Sequence, residues 1–418
     1  MEKKLVSSNV DRSLGGATTP RKFPKTVLIV LALLTAIGIG CWFYQLAMGL
    51  QVTGMSNMNS WGTYIIMFMF FVGLSAGGLI VASSAHVFKI EAFKKVALPA
   101  VITSTVCICV AAMFILIDLG GFSRFWRLFT GPNFSSPLMW DVVVISLYLI
   151  INILDIVWIT KGDERKVEVL SRFALPTAIL VHSVTAWIFG LQISRTWFTA
   201  IMAPIFVASA CDSGLALLLL ALVVLEARGL FSVGRPLLKK LAGLLAVFVA
   251  VDAYFIGCEL LTMGYPGASE ADTLLIMATG ATAPFFWFEI IFGLIVPFMV
   301  LVFAKNREKK GLIVFASVLV VLGVLCKRIW LLLTAFIAPF ANGNPTVAGD
   351  IMGSQSLAFG AVGSFYVPSP IELLIVVGVL SLGTLGFMLM CNRLMGEKES
   401  QFEPKTAKNP ADHGAQTA

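Results

Sequence analysis

Ten ionisable side chains fall inside long apolar stretches of this 418-residue sequence: Asp118, Asp141, Asp155, His182 and Asp212 in the first half, and Asp252, Glu259, Glu289, Lys327 and Arg328 in the second. Charge in such surroundings is costly, and is met inside helix bundles, around water-lined cavities or along proton paths. In the second half three acids face two bases, which reads most simply as buried ion pairs that fix helix register. The first half lacks enough bases to pair, so its acids must be protonated, water-bound or hydrogen-bonded to something else. His182 and Asp212 are expected to reach similar depth on consecutive antiparallel helices. As a pair they suit proton acceptance, because a carboxylate orients an imidazole and stabilises its cation. A lone histidine satisfied by the core is the bland alternative. His182, Asp212, Asp252, Glu259 and Glu289 are the candidates for a proton path.

The densest local signal is LIDLGGFSRFWRLFTGPNFSSPLMWD at 116–141. It leaves one apolar stretch at Asp118, crosses a loop with Arg124, Arg127 and five aromatics (Phe122, Phe125, Trp126, Phe129, Phe134), and re-enters at Trp140 and Asp141. One reading is an aromatic belt at the membrane interface. The other is a pocket for a flat apolar ring with polar oxygens, such as a quinone, flanked by the carboxylates of Asp118 and Asp141, with Arg124, Trp126 and Trp140 beside them. Asp141, His182 and Asp118 are then the candidates for proton transfer.

Other chemistry is excluded by residue type. The seven cysteines form no CxxC pair, whereas iron–sulfur and structural zinc sites need clustered thiolates; no metal site is expected. Haem held by two histidines fails on numbers, since the chain has only His86, His182 and His413, the last in a polar tail. No haem or iron–sulfur cluster is expected in this chain.

The elements that must carry these residues follow from composition. Apolar residues make up 58% and charged residues 13%, against about 25% charge in soluble domains. Residues 26–88 hold no Lys, Arg, Asp or Glu, enough for two crossings of about 20 residues each. The same test downstream gives ten spans at 27–49, 62–87, 95–118, 138–160, 173–194, 200–225, 238–262, 282–304, 312–339 and 369–393. The fifth would place His182 about nine residues, or roughly 13 Å, from its N-terminal end. The fold class is an all-α polytopic membrane protein: a basic segment 1–26, a ten-helix domain 27–393 and a polar tail 394–418.

If the N-terminus is cytoplasmic, 25 of the 30 Lys and Arg residues fall in cytoplasmic segments and only Arg124, Arg127 and Arg195 lie outside. The positive-inside rule then places both termini in the cytoplasm and the 119–137 and 340–367 loops outside. The net charge of +7 is thereby explained as topology, with no basic stripe for nucleic acid. Segment 27–49 reads as a retained helix, not a removed signal peptide.

The sequence resembles the NrfD-like membrane subunits of polysulfide reductase and related respiratory complexes. The resemblance rests on FVGLSAGG (71–78), on DLGGFSRFW and PNFSSPLMWD (118–141), and on VHSVTAWIFGLQISRTWFTAIMAPIFVASACDSG (181–214). Weaker echoes are AYFIGCELLT (253–262) and FWFEIIFGLIVP (286–297). It implies the long branch of the family, with two four-helix bundles, helices 2–5 and 6–9, flanked by helices 1 and 10. It implies a quinone-interacting subunit in the bacterial cytoplasmic membrane that exchanges electrons between menaquinol or ubiquinol and a ferredoxin-like iron–sulfur subunit. A molybdopterin or multihaem cytochrome subunit would lie beyond that partner. Asp118, Arg124, Asp141 and His182 stand where the family has polar positions near the quinone, while Ile65 and Phe68 replace the Asn and His of the short eight-helix anchor. A secondary transporter, which also buries charge at mid-membrane, and a purely structural anchor are the alternatives.

Overall fold

The computed structural model describes residues 22–56, 59–192, 197–265, 271–337 and 366–395. Arg195, nearly all of the 340–367 loop and most of both terminal segments lie outside the described residues. Among the described residues, ten helices are long and apolar enough to cross a membrane: α1 (Lys25–Met48), α2 (Thr63–Val87), α3 (Ala97–Asp118), α4 (Pro137–Lys161), α5 (Glu164–Gly190), α6 (Met202–Ala227), α7 (Arg235–Met263), α8 (Ala283–Val302), α9 (Lys310–Ile337) and α10 (Pro370–Leu394). Nine match the expected spans to within about three residues. The exception is α5, which starts nine residues earlier than expected because its charged first turns are helical. Asp163 accepts the Lys166 amide at 3.3 Å as N-cap, and Arg172 pairs with Glu168 at 2.9 Å one turn along. Charge there marks a helix that outruns the apolar layer, not its boundary.

Helices α2–α5 pack as one bundle and α6–α9 as the other, joined mainly where α2 and α5 meet α6. The seam is close because both walls are glycine there. A Cβ on Gly77 of α2 would stand 2.1 Å from the Gly214 carbonyl carbon of α6, and small residues are what let membrane helices approach backbone to backbone. The flanking helices do not sit on opposite sides. They pair with each other at Gly38 and Gly378, where a Cβ would meet the opposing Cα at 2.5 Å, and α10 lies along α3. In α8 the turn from Glu289 to Ile295 is π-helical, a widening common at functional positions.

The Lys- and Arg-rich helix ends gather on one face, the basic face. Its cross-helix pairs are Lys239 with Glu308 at 2.6 Å and Lys310 with Glu226 at 2.8 Å. The other face carries the 119–136 loop and is called the loop face.

Candidate functional site

Asp141 is the fifth residue of α4, one turn below the loop face, and is fully buried. Its Oδ1 accepts the Thr185 hydroxyl of α5 at 2.6 Å, while Oδ2 has no hydrogen-bond partner in the protein. His182 is three residues before Thr185, so it occupies the same side of α5 one turn deeper. It is 1% exposed and its Nε2 also lacks a partner. Because α5 ends at Gly190, His182 lies about 12 Å from the loop-face end and about 27 Å from the basic end. The expected depth of 13 Å from the basic side is therefore corrected: the extended N-terminal turns carry His182 to the level of the Asp141–Thr185 pair.

The expected His182–Asp212 pair does not form. Asp212 of α6 is fully buried with neither carboxylate oxygen hydrogen-bonded among the described residues, so His182 does not donate to it. Arg328 of α9 intervenes electrostatically, acting on both His182 and Asp212. Its guanidinium lies 3.9 Å over the Phe206 ring, donates to Ser209 Oγ at 2.7 Å and sits beside Gly73 of α2. Nε and Nη1 have no partner.

The neighbouring Lys327 stays within its own bundle. Its ammonium donates to Asp252 Oδ1 and Oδ2 at 3.0 and 3.1 Å and stands 3.5 Å from Glu289 Oε1. Glu289 Oε2 accepts the Trp330 indole N–H. The expectation that Asp252, Glu259 and Glu289 face both bases is thus revised. Glu259 lies two turns along α7 from Asp252, half-buried, and accepts the Thr199 hydroxyl at 3.1 Å. Asp212 makes no hydrogen bond to either base among the described residues, and Arg328 borders Gly73 of α2 at the seam.

The two carboxylates that bracket the loop also part company. Asp118 closes α3 with Glu372 of α10 and Tyr64 of α2 as electrostatic neighbours. Tyr64 donates to Gln45 at 2.6 Å. Glu372 is fully buried and accepts the Gly54 and Ser369 amides, each at 2.7 Å, and the Tyr366 hydroxyl. No hydrogen bond joins Asp118 to Asp141 among the described residues. Trp140 points away from Asp141, 47% exposed, with its N–H on the Phe134 carbonyl at 2.8 Å. Arg124 and Trp126 are exposed. Arg124 lines an open groove of about 460 Å3 with Leu119, Arg127, Leu128 and Met139. The structure thus joins Asp141 to Thr185, with His182 one turn deeper on the same helix as Thr185, and shows no hydrogen bond from Asp118, Trp126 or Trp140 to them among the described residues.

Sequence reasoning missed Thr185, Ser209, Tyr148 and Glu372. Tyr148 donates to the Ser75 carbonyl at 2.9 Å, and its own carbonyl accepts Asn152 Nδ2 at 2.9 Å, with Asp155 one turn beyond. Neutral polar groups carry no signal in a scan for charge. Glu372 did carry one: Ser369 and Glu372 form a reciprocal capping box, which the S-x-x-E spacing announces.

The profile of the NrfD polysulphide reductase family matches residues 51–339. The chain belongs to the NrfD family. A putative dimethyl sulfoxide reductase membrane subunit from Halobacterium salinarum is 35% identical over 382 residues, 85% of this chain and 88% of the relative. A selenate reductase subunit from Mesobacillus selenatarsenatis is 27% identical over 360 residues, 76% and 84% of the two chains. An Hdr-like menaquinol oxidoreductase integral membrane subunit of Archaeoglobus fulgidus is 28% identical over 366 residues, 87% and 91%. The NrfD match covers both bundles, so this chain is a multi-pass integral membrane protein of that family. The Halobacterium relative widens the expected bacterial setting to archaea.

Proposed function

We propose that this NrfD protein is the quinone-interacting membrane subunit of a respiratory oxidoreductase complex, and that the first bundle, at Asp141, Thr185 and His182, is where quinol gives up its protons. One observation carries the reading: two fully buried titratable groups, one turn apart and just below the loop face, each present an atom without a partner. Such orphans are rare in native interiors and point to a ligand or water. The relative named as a menaquinol oxidoreductase subunit supports the substrate class.

Oxidation of a quinol releases two electrons and two protons. Asp141 Oδ2 is the acceptor for a proton, with Thr185 holding the carboxylate by its other oxygen. His182 takes a second proton or passes the first deeper. Arg328 places a fixed positive charge at the far side of His182, and Asp212, Asp252 and Glu289 continue the polar path into the second bundle. The loop face, with Arg124, Arg127 and the aromatics of the 119–136 segment, is the docking surface for a ferredoxin-like iron–sulfur subunit, itself coupled to a molybdopterin or multihaem cytochrome subunit. Few charges and many aromatics suit an interface whose anchors are ring and guanidinium groups. Positive-inside asymmetry makes this face extracytoplasmic. Asp118, in this reading, belongs to the rim with Arg124 and takes up protons released outward.

The purified subunit is expected to yield menaquinone or ubiquinone on solvent extraction and to lack the Soret and alpha bands of a reduced b haem. Quinone-free protein from quinone-replete membranes would contradict the proposal. Trp126→Ala together with Arg127→Ala is expected to release the external subunit from washed membranes while the ten-helix protein stays inserted. Retention of the partner at wild-type levels would move the docking surface elsewhere.

A further inference from the structure

The second bundle contains a partly open cavity that the proposed quinol chemistry does not use. It lies between α6, α7 and α9 with the helix Ala271–Thr279 at its side, and runs from Trp197 and Thr199 at the loop face down to Lys327. Its walls are apolar and sulfur-rich, with Met202, Met263 and Met277 among them. Two lining side chains, Trp197 at 2% exposure and Thr273 at 1%, leave Nε1 and Oγ1 without a partner in the protein. Glu259, Thr199 and Lys327 add further polar groups to the same wall.

Size decides the ligand. The space open to the centre of a water-sized sphere is about 50 Å3. A cavity of about 150 Å3 is needed to take even benzene, whereas each water occupies roughly 10–15 Å3 on this measure. The cavity is too small for a second quinone ring and has room for about four waters. Its polar groups are enough to hold them, since a buried water needs two to four partners.

We propose that this cavity is a hydrated port through which water reaches the Lys327–Asp252–Glu289 cluster from the loop face, separate from the quinol site. Trp197 Nε1 and Thr273 Oγ1 anchor the waters, and Glu259 with Thr199 forms the outer end. A proton leaving the cluster passes from Lys327 to the first water, Lys327 being reprotonated from Glu289 or Asp252, then moves along the file by successive transfers and departs at the Glu259 end. Each transfer breaks one O–H or N–H bond and forms another, and nothing is oxidised. The transport role rests on the proton path proposed above; the hydration does not.

Millisecond X-ray footprinting of the intact complex tests the hydration, because radiolysis of a bound water oxidises the methionine beside it. Met202, Met263 and Met277, at 4, 6 and 3% exposure, are expected to oxidise several-fold faster than Met69, which is 1% exposed and lines none of the cavities described here. Rates equal to that of Met69 would show a dry cavity and overturn the port. Thr273→Val and, separately, the cavity-filling Ile256→Phe are expected to slow the labelling. In proteoliposomes both are expected to lower the number of protons moved per quinol oxidised while quinol oxidation in detergent continues. Undiminished proton movement in two variants with slowed labelling would refute the transport role. Absence of quinol oxidation by the wild-type complex would instead refute the proposed function and leave the footprinting result standing.

Discussion

The two bundles carry the same device in two electrical states. In each, an acid near the start of the third helix, Asp141 in α4 or Glu289 in α8, accepts a hydrogen bond from the fourth, from Thr185 or Trp330. In the second bundle Lys327 stands 3.5 Å from Glu289 and also holds Asp252. In the first, no cation among the described residues reaches Asp141 by hydrogen bond or ion pair, and one oxygen is left over. A buried charge that is paired is held in place and exchanges its proton only through its partner, while an unpaired one is free to exchange a proton with whatever fills the space beside it. On the proposed reading, quinol chemistry belongs to the first bundle and proton relay through a charge-balanced cluster to the second. Arg328 of α9 is held within its own bundle by Phe206 and Ser209 of α6 and borders Gly73 of α2 at the seam.

The largest effect expected is on Asp141. Asp141→Asn keeps volume and the Thr185 contact but cannot accept a proton, so quinol oxidation falls by about 10²-fold or more, as loss of a general base implies. Glu289→Gln, the matching change in the second bundle, leaves the rate in detergent within a small factor of wild type. Quinol kinetics on complexes matched for polypeptide composition check both. Equal losses in the two variants would erase the distinction.

A second prediction concerns stability. Lys327→Met strands Asp252 and Glu289 without their cation, and breaking a buried pair this way costs about 3–5 kcal/mol. Thermal unfolding in detergent is expected to show a large fall in Tm and yield, and Lys327→Met with Asp252→Leu is expected to recover most of it. No such change belongs to Thr185→Val, which removes a neutral partner. A Lys327→Met protein as stable as wild type would mean that the cluster is not a charge balance.

The smallest effect lies at the basic face, where the bundles are alike. The Lys239 hydrogen bond holds the Glu308 carboxyl below its ordinary value, and Lys166 does the same for Asp163. A depressed carboxylate stabilises the fold above its unfolded value, and that contribution is lost as pH falls through the folded one. Both pairs are exposed, so the expected signature is a slight lowering of Tm below about pH 4, absent in Glu308→Gln. A steep acid transition that survives Glu308→Gln and Asp163→Asn would place its origin elsewhere.

Much of this was legible in the residues. Runs without charge mark the ten helices, and the loop motif with the 181–214 segment marks the family. The level of His182 was not legible, because Glu164, Arg165, Lys166, Glu168 and Arg172 resemble a linker until their i,i+3 and i,i+4 pairing is seen. Nor was the split between Lys327 and Arg328. Consecutive helical residues point about 100° apart, but only the rotation of α9 decides which faces Asp252 and which faces Phe206. Asp118 was grouped with Asp141 by proximity along the chain, whereas the pairing of α1 with α10 turns it toward Glu372.

The central claim, that quinone sits in the first bundle beside Asp141, is tested most directly by photolabelling the native complex with an azidoquinone and mapping the attached peptides by mass spectrometry. Labelling is expected on the loop-face halves of α4 and α5, around residues 137–145 and 181–190, and is expected to be competed by unmodified quinone. Competable label confined to α6–α9, or none that quinone displaces, would contradict the assignment.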